Sequence, residues 1–419
     1  MQSTRLFDRS KKILKGLRLM SLARETGFRQ RDSGKISPTT WFWSLVLSCL
    51  GDSKRSQAEA ARFASLLSGK PITRQALHDR FSRGSVEFLR RTYERLHRMA
   101  AALPRRALPG GLAAFEDVKL VDSSSIQLAD RLAAIFPECR TNVRKAALKL
   151  HSQMSLKDRE VERLRVTAER VHDSKEPMVA EWIRGRLVIF DLGYFAYALF
   201  ARIEDWGGQF LSRLKVSANG RIERVRHGCG RDMIGMPLND ACYSGNIVDV
   251  DVAFKCDPGS RTFRVVGVWN STTFDYHWYI TSLSATDWSA QNLADIYTIR
   301  WQIELLFKDW KSFCGLRNLA SGKEEVALSF IYATLCASLL IRVNLWFASA
   351  RYKIDWYKLC STIAFSIHAF YKLQLGRALV RRKRGALLHV LDDLWETLAV
   401  HARLPNGTNA TLIIGDTIA

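Results

Sequence analysis

Residues 296–311 read IYTIRWQIELLFKDWK, and this stretch decides how the rest of the chain is read. Tyr297, Arg300, Glu304 and Lys311 follow one another at intervals of three, four and seven. At about 100° per residue those intervals fall on one narrow stripe of an α-helix, which Lys308 joins. Such a stripe is most often a solvated face laced by i,i+4 ion pairs, here Glu304 with Lys308. The remaining faces are held by Trp301, Ile303, Leu305, Leu306, Phe307 and Trp310. A helix that apolar elsewhere is expected to be packed deeply, so its polar stripe is expected to line a cleft.

Working outward, two aspartates share a complementary peculiarity. Asp122 follows Val118, Leu120 and Val121, and Asp191 follows Leu187-Val188-Ile189-Phe190. A carboxylate at the end of a buried strand is costly unless it is paired or bound to a cation. Each alone reads as a cap or turn aspartate, and Asp191-Leu192-Gly193 is an ordinary strand-ending turn. Together with a cleft-facing Glu304, the pair points to a carboxylate cluster.

The strands predicted around them run VKLVDSSSIQL from 118, ALKLHSQMSL from 147, RLRVTAERV from 163 and RLVIFDLGYF from 186, with a helix over 174–184 before the fourth. Acids on the first and fourth strands of that series outline a ribonuclease H-like core, and QFLSRLKVS from 209 supplies a fifth strand. Residues 219–287 are a succession of short β-type segments, RIERVRH, IVDVDVAF, RTFRVVGVW and HWYITSL. The predicted fold class is therefore α/β: a ribonuclease H-like mixed-sheet core at 113–218 and 288–325, interrupted by an all-β insertion at 219–287. Helical regions flank it at 1–112 and 326–404, with a tail at 405–419. Within the first, Ser37-Pro38-Thr39-Thr40 starts a helix, and SQAEAARFASLL, a break at Ser68-Gly69-Lys70-Pro71 and TRQALHDRFS form a helix-turn-helix candidate. It would present Arg74, Gln75, His78 and Arg80 to a DNA groove; an αα-hairpin inside a helical domain is an equal reading. His151, on the second strand, reads as a satisfied core histidine.

The Y-x2-R-x3-E-x6-K spacing resembles that of the bacterial DDE transposases of the IS-four family, where it surrounds the third catalytic acid. Val121-Asp122-Ser123-Ser124-Ser125 and Asp191-Leu192-Gly193-Tyr194-Phe195 are similar to the blocks around that family's first and second acids. The resemblance covers about residues 115–320. It implies that Asp122, Asp191 and Glu304 bind two magnesium ions, with manganese as a substitute, Asp122 bridging both. Two such ions activate an attacking oxygen and stabilise a departing one. It further implies that Tyr297, Arg300 and Lys311 contact phosphates near a transposon end, where an Arg fork binds bidentately and a Lys acts as a point charge. Close relatives fill the gap between second and third acids with a β-rich insertion. The His277-Trp278-Tyr279-Ile280-Thr281-Ser282 segment resembles the one in which a Trp stacks on a flipped base. A sheet-core Trp is as good a reading of Trp278, with Trp269 or Tyr276 as substitutes. The implied partners are transposon-end inverted repeats and target DNA, bound by a homodimer.

Composition agrees with a polyanion partner. Over 419 residues, 63 Lys and Arg stand against 41 Asp and Glu, a net charge of +22, and such a surplus attracts nucleic acid. The eight cysteines are scattered without a C-x-x-C pair, as in reduced cytosolic proteins; His227, Cys229, Cys242 and Cys256 fit no common zinc spacing. MQSTRLFDRSKKILKG has no apolar core of a secretory signal. The apolar run Leu328–Ile341 is too short for a bilayer and meets Arg342 and Asn344. The expected place is the bacterial cytoplasm, at the nucleoid, with no membrane partner. Two alternatives remain: a catalytically silent, transposase-derived DNA-binding protein, against which the three acids argue, and a non-mobile ribonuclease H-like nuclease, which has no need of the Tyr, Arg and Lys around Glu304.

Overall fold

Ser37 and Pro38 start a helix for a simple physical reason. The Ser37 hydroxyl accepts from the Thr40 N–H at 3.0 Å, and proline occupies the first turn, where no backbone donor is needed. The computed structural model describes residues 16–29, 36–50, 56–101, 107–139, 145–158, 160–175, 178–256, 259–319 and 321–352. The N-terminal part is helical: α1 (Leu19–Glu25), α2 (Pro38–Ser48), α3 (Gln57–Ser68), α4 (Arg74–His78) and α5 (Arg83–Ala101). Ser56 and Thr73 cap α3 and α4 through their hydroxyls, and Gly69, at φ 69°, ends α3 in the left-handed conformation glycine tolerates best. The second helix of the helix-turn-helix candidate is shorter than the sequence suggests, at five residues. Past it Phe81 is buried beside Trp41, ring centroids 5.3 Å apart, so its place in the core ends the helix.

The described residues divide into two compact units, one drawn from Met1–Pro104, Ile126–Leu148 and Leu305–Ala410, the other from Arg105–Ser125 and Lys149–Glu304. A ten-stranded sheet begins with β1 (Val118–Leu128), β2 (Ala147–Ser155), β3 (Glu160–Ala168), β4 (Leu187–Phe190) and β5 (Gln209–Arg213). It continues with β6 (Arg221–His227), β7 (Ile247–Lys255), β8 (Ser260–Asn270) and β9 (Asp275–Thr281), in the order β3-β2-β1-β4-β5-β9-β8-β7-β6. β1, β4 and β5 are parallel, and β4 is buried along its whole length, which is why it reads as an unbroken apolar run.

One feature here differs from expectation. The helix expected at 174–184 is replaced by two single 3₁₀ turns, Asp173–Lys175 and Glu181–Ile183. Pro177 lies within that span, and a proline there lacks an N–H and disfavours helix in the residue before it. The helix comes after β4 instead: α6 (Tyr197–Asp205) buries Leu199, Phe200 and Ile203, and Phe200 stacks on Phe210 of β5 at 4.3 Å. The β-rich segment joins the core sheet. β9 pairs antiparallel with β5, Leu211 opposite Thr281, so the insertion extends the core sheet.

One buried arginine ties that extension to the next segment. Arg264 on β8 is 6% exposed, pairs with Asp249 of β7 at 2.6 Å and donates to the carbonyls of Leu283, Ser284 and Trp288. Those residues lead into α7 (Ala290–Thr298) and α8 (Trp301–Lys308). Removing Arg264 leaves Asp249 with only the longer Arg226 contact at 3.4 Å and strips three carbonyls of their donor, so Arg264→Ala is expected to destabilise by about 3 kcal/mol in equilibrium unfolding.

In the first unit, β10 (Asn318–Leu319) pairs with Gln127 and Leu128, and the long helix α9 (Glu324–Tyr352) packs on α5 and α2. The α9 window Glu324–Val343 is long and apolar enough to cross a membrane, and Arg342 does not end the helix. That window is 89% buried within the protein, as befits a core helix. The basic cluster at 381–385, the tail from Pro405 and the cations Arg5, Arg9, Lys11, Lys12 and Lys15 lie outside the described residues.

Candidate active site

Parallel pairing brings the two aspartates side by side. Val121 of β1 is in register with Phe190 of β4, so Asp122 and Asp191 are the next positions on neighbouring strands, and the Asp191 N–H reaches the Val121 carbonyl at 3.4 Å. Asp122 is 8% exposed, and its Oδ1 accepts from the Ser123 N–H at 2.7 Å. Asp191 caps the short 3₁₀ turn Leu192–Tyr194 through the Gly193 N–H, leaving much of its carboxylate exposed. It is both the turn aspartate its sequence suggests and a neighbour of Asp122.

Glu304 and Arg300 complete the cluster. The Arg300 guanidinium spans all three acids: Nη1 lies 2.9 Å from Asp122 Oδ2 and 3.7 Å from Asp191 Oδ1, and Nη2 donates to Glu304 Oε1 at 2.5 Å. The stretch 296–311 is not one continuous helix. α7 ends at Thr298, Ile299 and Arg300 form a turn, α8 carries Glu304, and a π-helical turn follows at Asp309–Phe313. The break still leaves Arg300 and Glu304 four residues apart on adjoining turns, so their pairing survives. Lys311 lies within the π turn, a form recurrent at functional sites. Lys311 is half-buried and belongs to the first unit, whereas Asp122, Asp191, Tyr297, Arg300 and Glu304 belong to the second.

A cation-and-ring stack backs the cluster. Arg300 lies over the Tyr297 ring at 5.6 Å, Tyr297 meets Tyr279 at 5.3 Å, and Arg213 lies over Tyr279 at 5.4 Å. Arg213 falls in register beside Asp191, since Phe190 is opposite Ser212. No spacing in the sequence marks it; only strand pairing does.

Burial and the neighbouring Asp191 carboxylate push the Asp122 carboxyl up from 3.8 to about 7, with Arg300 pulling against them. A raised folded pKa means that the fold favours the protonated acid. The stabilisation is therefore complete below about pH 4 and is lost as the pH rises to about 7, up to about 4 kcal/mol. Urea unfolding in chelator should show stability falling over that window, and Asp122→Asn should flatten the slope.

Such a set of crowded oxygen donors suits a hard divalent cation, which takes carboxylate ligands and meets the shortage of positive charge. The cation the acids share in this structure is the Arg300 guanidinium; among the described residues, no three His, Cys, Asp or Glu side chains already close around a metal position. That statement covers His227, Cys229, Cys242 and Cys256, and the seven described cysteines are free thiols.

The remaining candidates are scattered. Arg74 and Gln75 are exposed, with Gln75 bonded to Asp79 at 2.7 Å, while Arg80 is half-buried. His78 turns back to Gln57 of α3 at 2.8 Å. Trp278 is half-buried, its ring over Gly267 and edge-on to Tyr243 at 4.9 Å. Trp301, expected on a packed face, is instead 56% exposed, and Trp269 is 38% exposed. The chain turns at 299–300, just before residue 301, which periodicity does not reveal.

The model of the transposase DDE domain family matches residues 113–340. The chain is 22% identical over 443 residues to the transposase for insertion sequence element IS231B of Bacillus thuringiensis subsp. berliner, covering 92% of this chain and 89% of that one. It is 45% identical over 62 residues to the putative transposase InsL for insertion sequence element IS186A of Escherichia coli (strain K12), 15% of this chain and 17% of the relative. Among solved structures, the piggyBac transposase synaptic complex with hairpin DNA aligns at a TM-score of 0.53 and 10% identity. It covers 94% of this chain and 86% of that one, a likeness of fold.

Proposed function

The chain belongs to the DDE transposase family, as a bacterial member of its IS-four-like group, and from that premise we propose that it binds the inverted repeats of a mobile element, cleaves them by metal-dependent hydrolysis and joins the freed 3′-hydroxyls to target DNA. The observation that carries the reading is the gathering of Asp122, Asp191 and Glu304 around one guanidinium. In the proposal these three carboxylates hold two magnesium ions. The ions supply Lewis-acid chemistry at the attacking and departing oxygens.

The residues around them do the rest. Arg300, with its planar fork, orients the carboxylates and binds a phosphate of the transposon end beside Tyr297, and Lys311, in the first unit, is a further phosphate contact. Trp301 offers an exposed indole one residue from Arg300, suited to stacking on an unpaired base, with Trp278 as the other candidate. The helical residues 1–112, with Arg74, Gln75, His78 and Arg80 in α4 and just after it, read the end sequence, helped by the +22 net charge. Two ends must be held together for transposition, so the working form is a homodimer on DNA, acting at the nucleoid.

Joining separates this function from plain nuclease activity. The DNA flanking the gene supplies the candidate ends, offered as a precut end with a free 3′-hydroxyl beside a supercoiled plasmid. The expected result is magnesium-dependent insertion of the end into the plasmid. Nicking without joining would show a nuclease, and tight end binding with neither would show a silent DNA-binding descendant.

A further inference from the structure

His151 on β2 is fully buried, and both ring nitrogens are engaged. Nδ1 lies 3.0 Å from the Tyr194 hydroxyl and Nε2 lies 2.9 Å from the Thr167 hydroxyl. Thr167 donates its one proton to the Ala168 carbonyl at 3.1 Å, so it accepts from His151 Nε2–H. With Nε2 as the donor, Nδ1 accepts from the Tyr194 hydroxyl, and Asp173 Oδ1 stands 3.4 Å from the same nitrogen. Burial holds the ring neutral, down to about 4, against the Asp173 carboxylate 3.4 Å away. Lys149, 3.1 Å from Asp173, and Arg165 are the other charges facing the ring.

The chain of hydrogen bonds runs towards the acids. Tyr194 is buried, three residues after Asp191, and its phenol lies near enough to Asp122, Ser123 and Asp191 for all three to bear on it. On the other side of the turn, Asp173 packs so closely on Gly193 that a Cβ there would stand 2.6 Å from its Oδ2. The Tyr194 hydroxyl thus stands close to both the strand bearing Asp122 and the turn bearing Asp191, and His151 fixes that hydroxyl's direction.

We propose that His151, as a neutral hydrogen-bond acceptor, is a positioning residue that sets the spacing of Asp122 and Asp191 through Tyr194, and thereby their affinity for a divalent cation. The inference rests on the reading of those aspartates as cation ligands. A packing role alone makes a different prediction. Replacing both partners of a buried hydrogen bond by apolar groups of similar shape is nearly neutral for stability, so packing alone would be met by Phe at both positions.

The test is Mn²⁺ binding to the full chain, followed by electron paramagnetic resonance, with melting temperature measured in parallel. Asp122→Asn is expected to lose the tight Mn²⁺ site. Tyr194→Phe and the double variant His151→Phe/Tyr194→Phe are expected to melt near the wild type yet bind Mn²⁺ about 10- to 100-fold more weakly, as losses of outer-sphere partners do. His151→Asn, whose amide oxygen accepts near the Nδ1 position, is expected to recover most of the affinity. Tyr194→Phe and the double variant binding Mn²⁺ within twofold of the wild type, while Asp122→Asn loses it, overturns the positioning role alone. Undiminished binding by Asp122→Asn overturns the ligand reading and this inference with it. Should the His151 variants fail to fold, Tyr194→Phe decides.

Discussion

Glu304→Gln is expected to slow cleavage of the transposon end by about a thousandfold or more, while end binding changes by no more than a few-fold. The amide keeps the size of the side chain and an oxygen to accept from Arg300 Nη2, so the local packing survives. What it loses is the negative charge on a ligand that matters most when charge develops in the transition state, and groups of that kind cost orders of magnitude in turnover. A second readout comes from Asp122, whose carboxyl Glu304 helps to raise. Its titration should move down in the variant. Cleavage within tenfold of the wild type would remove Glu304 from the mechanism.

Arg300→Ala is expected to have the largest effect on stability in the site, about 3–5 kcal/mol at neutral pH, because three carboxylates lose the cation between them. The loss should shrink as the pH falls and Asp122 takes up a proton. It should shrink also when Mn²⁺ is added, so that the metal raises the melting temperature of the variant more than that of the wild type. Arg300→Lys should restore little, since one ammonium cannot span positions that the two Nη atoms of a fork reach together. Equal melting temperatures across pH and metal would show that the guanidinium bridge carries no weight.

How far the sequence alone reached depends on the kind of signal. β1 and β6 begin and end at the residues their β-type runs mark, Val118–Leu128 and Arg221–His227, because pattern and pairing coincide there. Asp191 follows the end of β4 as its apolar run suggests, whereas Asp122 lies within β1, which continues to Leu128, and parallel register places the two side by side. Periodicity failed where the backbone departs from regular geometry. The turn at 299–300 and the π turn at Asp309–Phe313 divide an apparently continuous helix, with Trp301 exposed just past the first and Lys311 inside the second. The helix expected at 174–184 met a proline, and the true one follows β4. Arg213 and His151 carry no local signature, since each acquires its neighbours only through strand pairing.

The central claim is that Asp122, Asp191 and Glu304 hold the cations that act on DNA. Anomalous scattering from crystals of the full chain grown in Mn²⁺ tests it most directly. The account predicts peaks bounded by the carboxylates of all three residues, lost in crystals of Glu304→Gln. Ordered density for the three side chains with no anomalous peak among them, at a concentration of Mn²⁺ that supports cleavage, would contradict it.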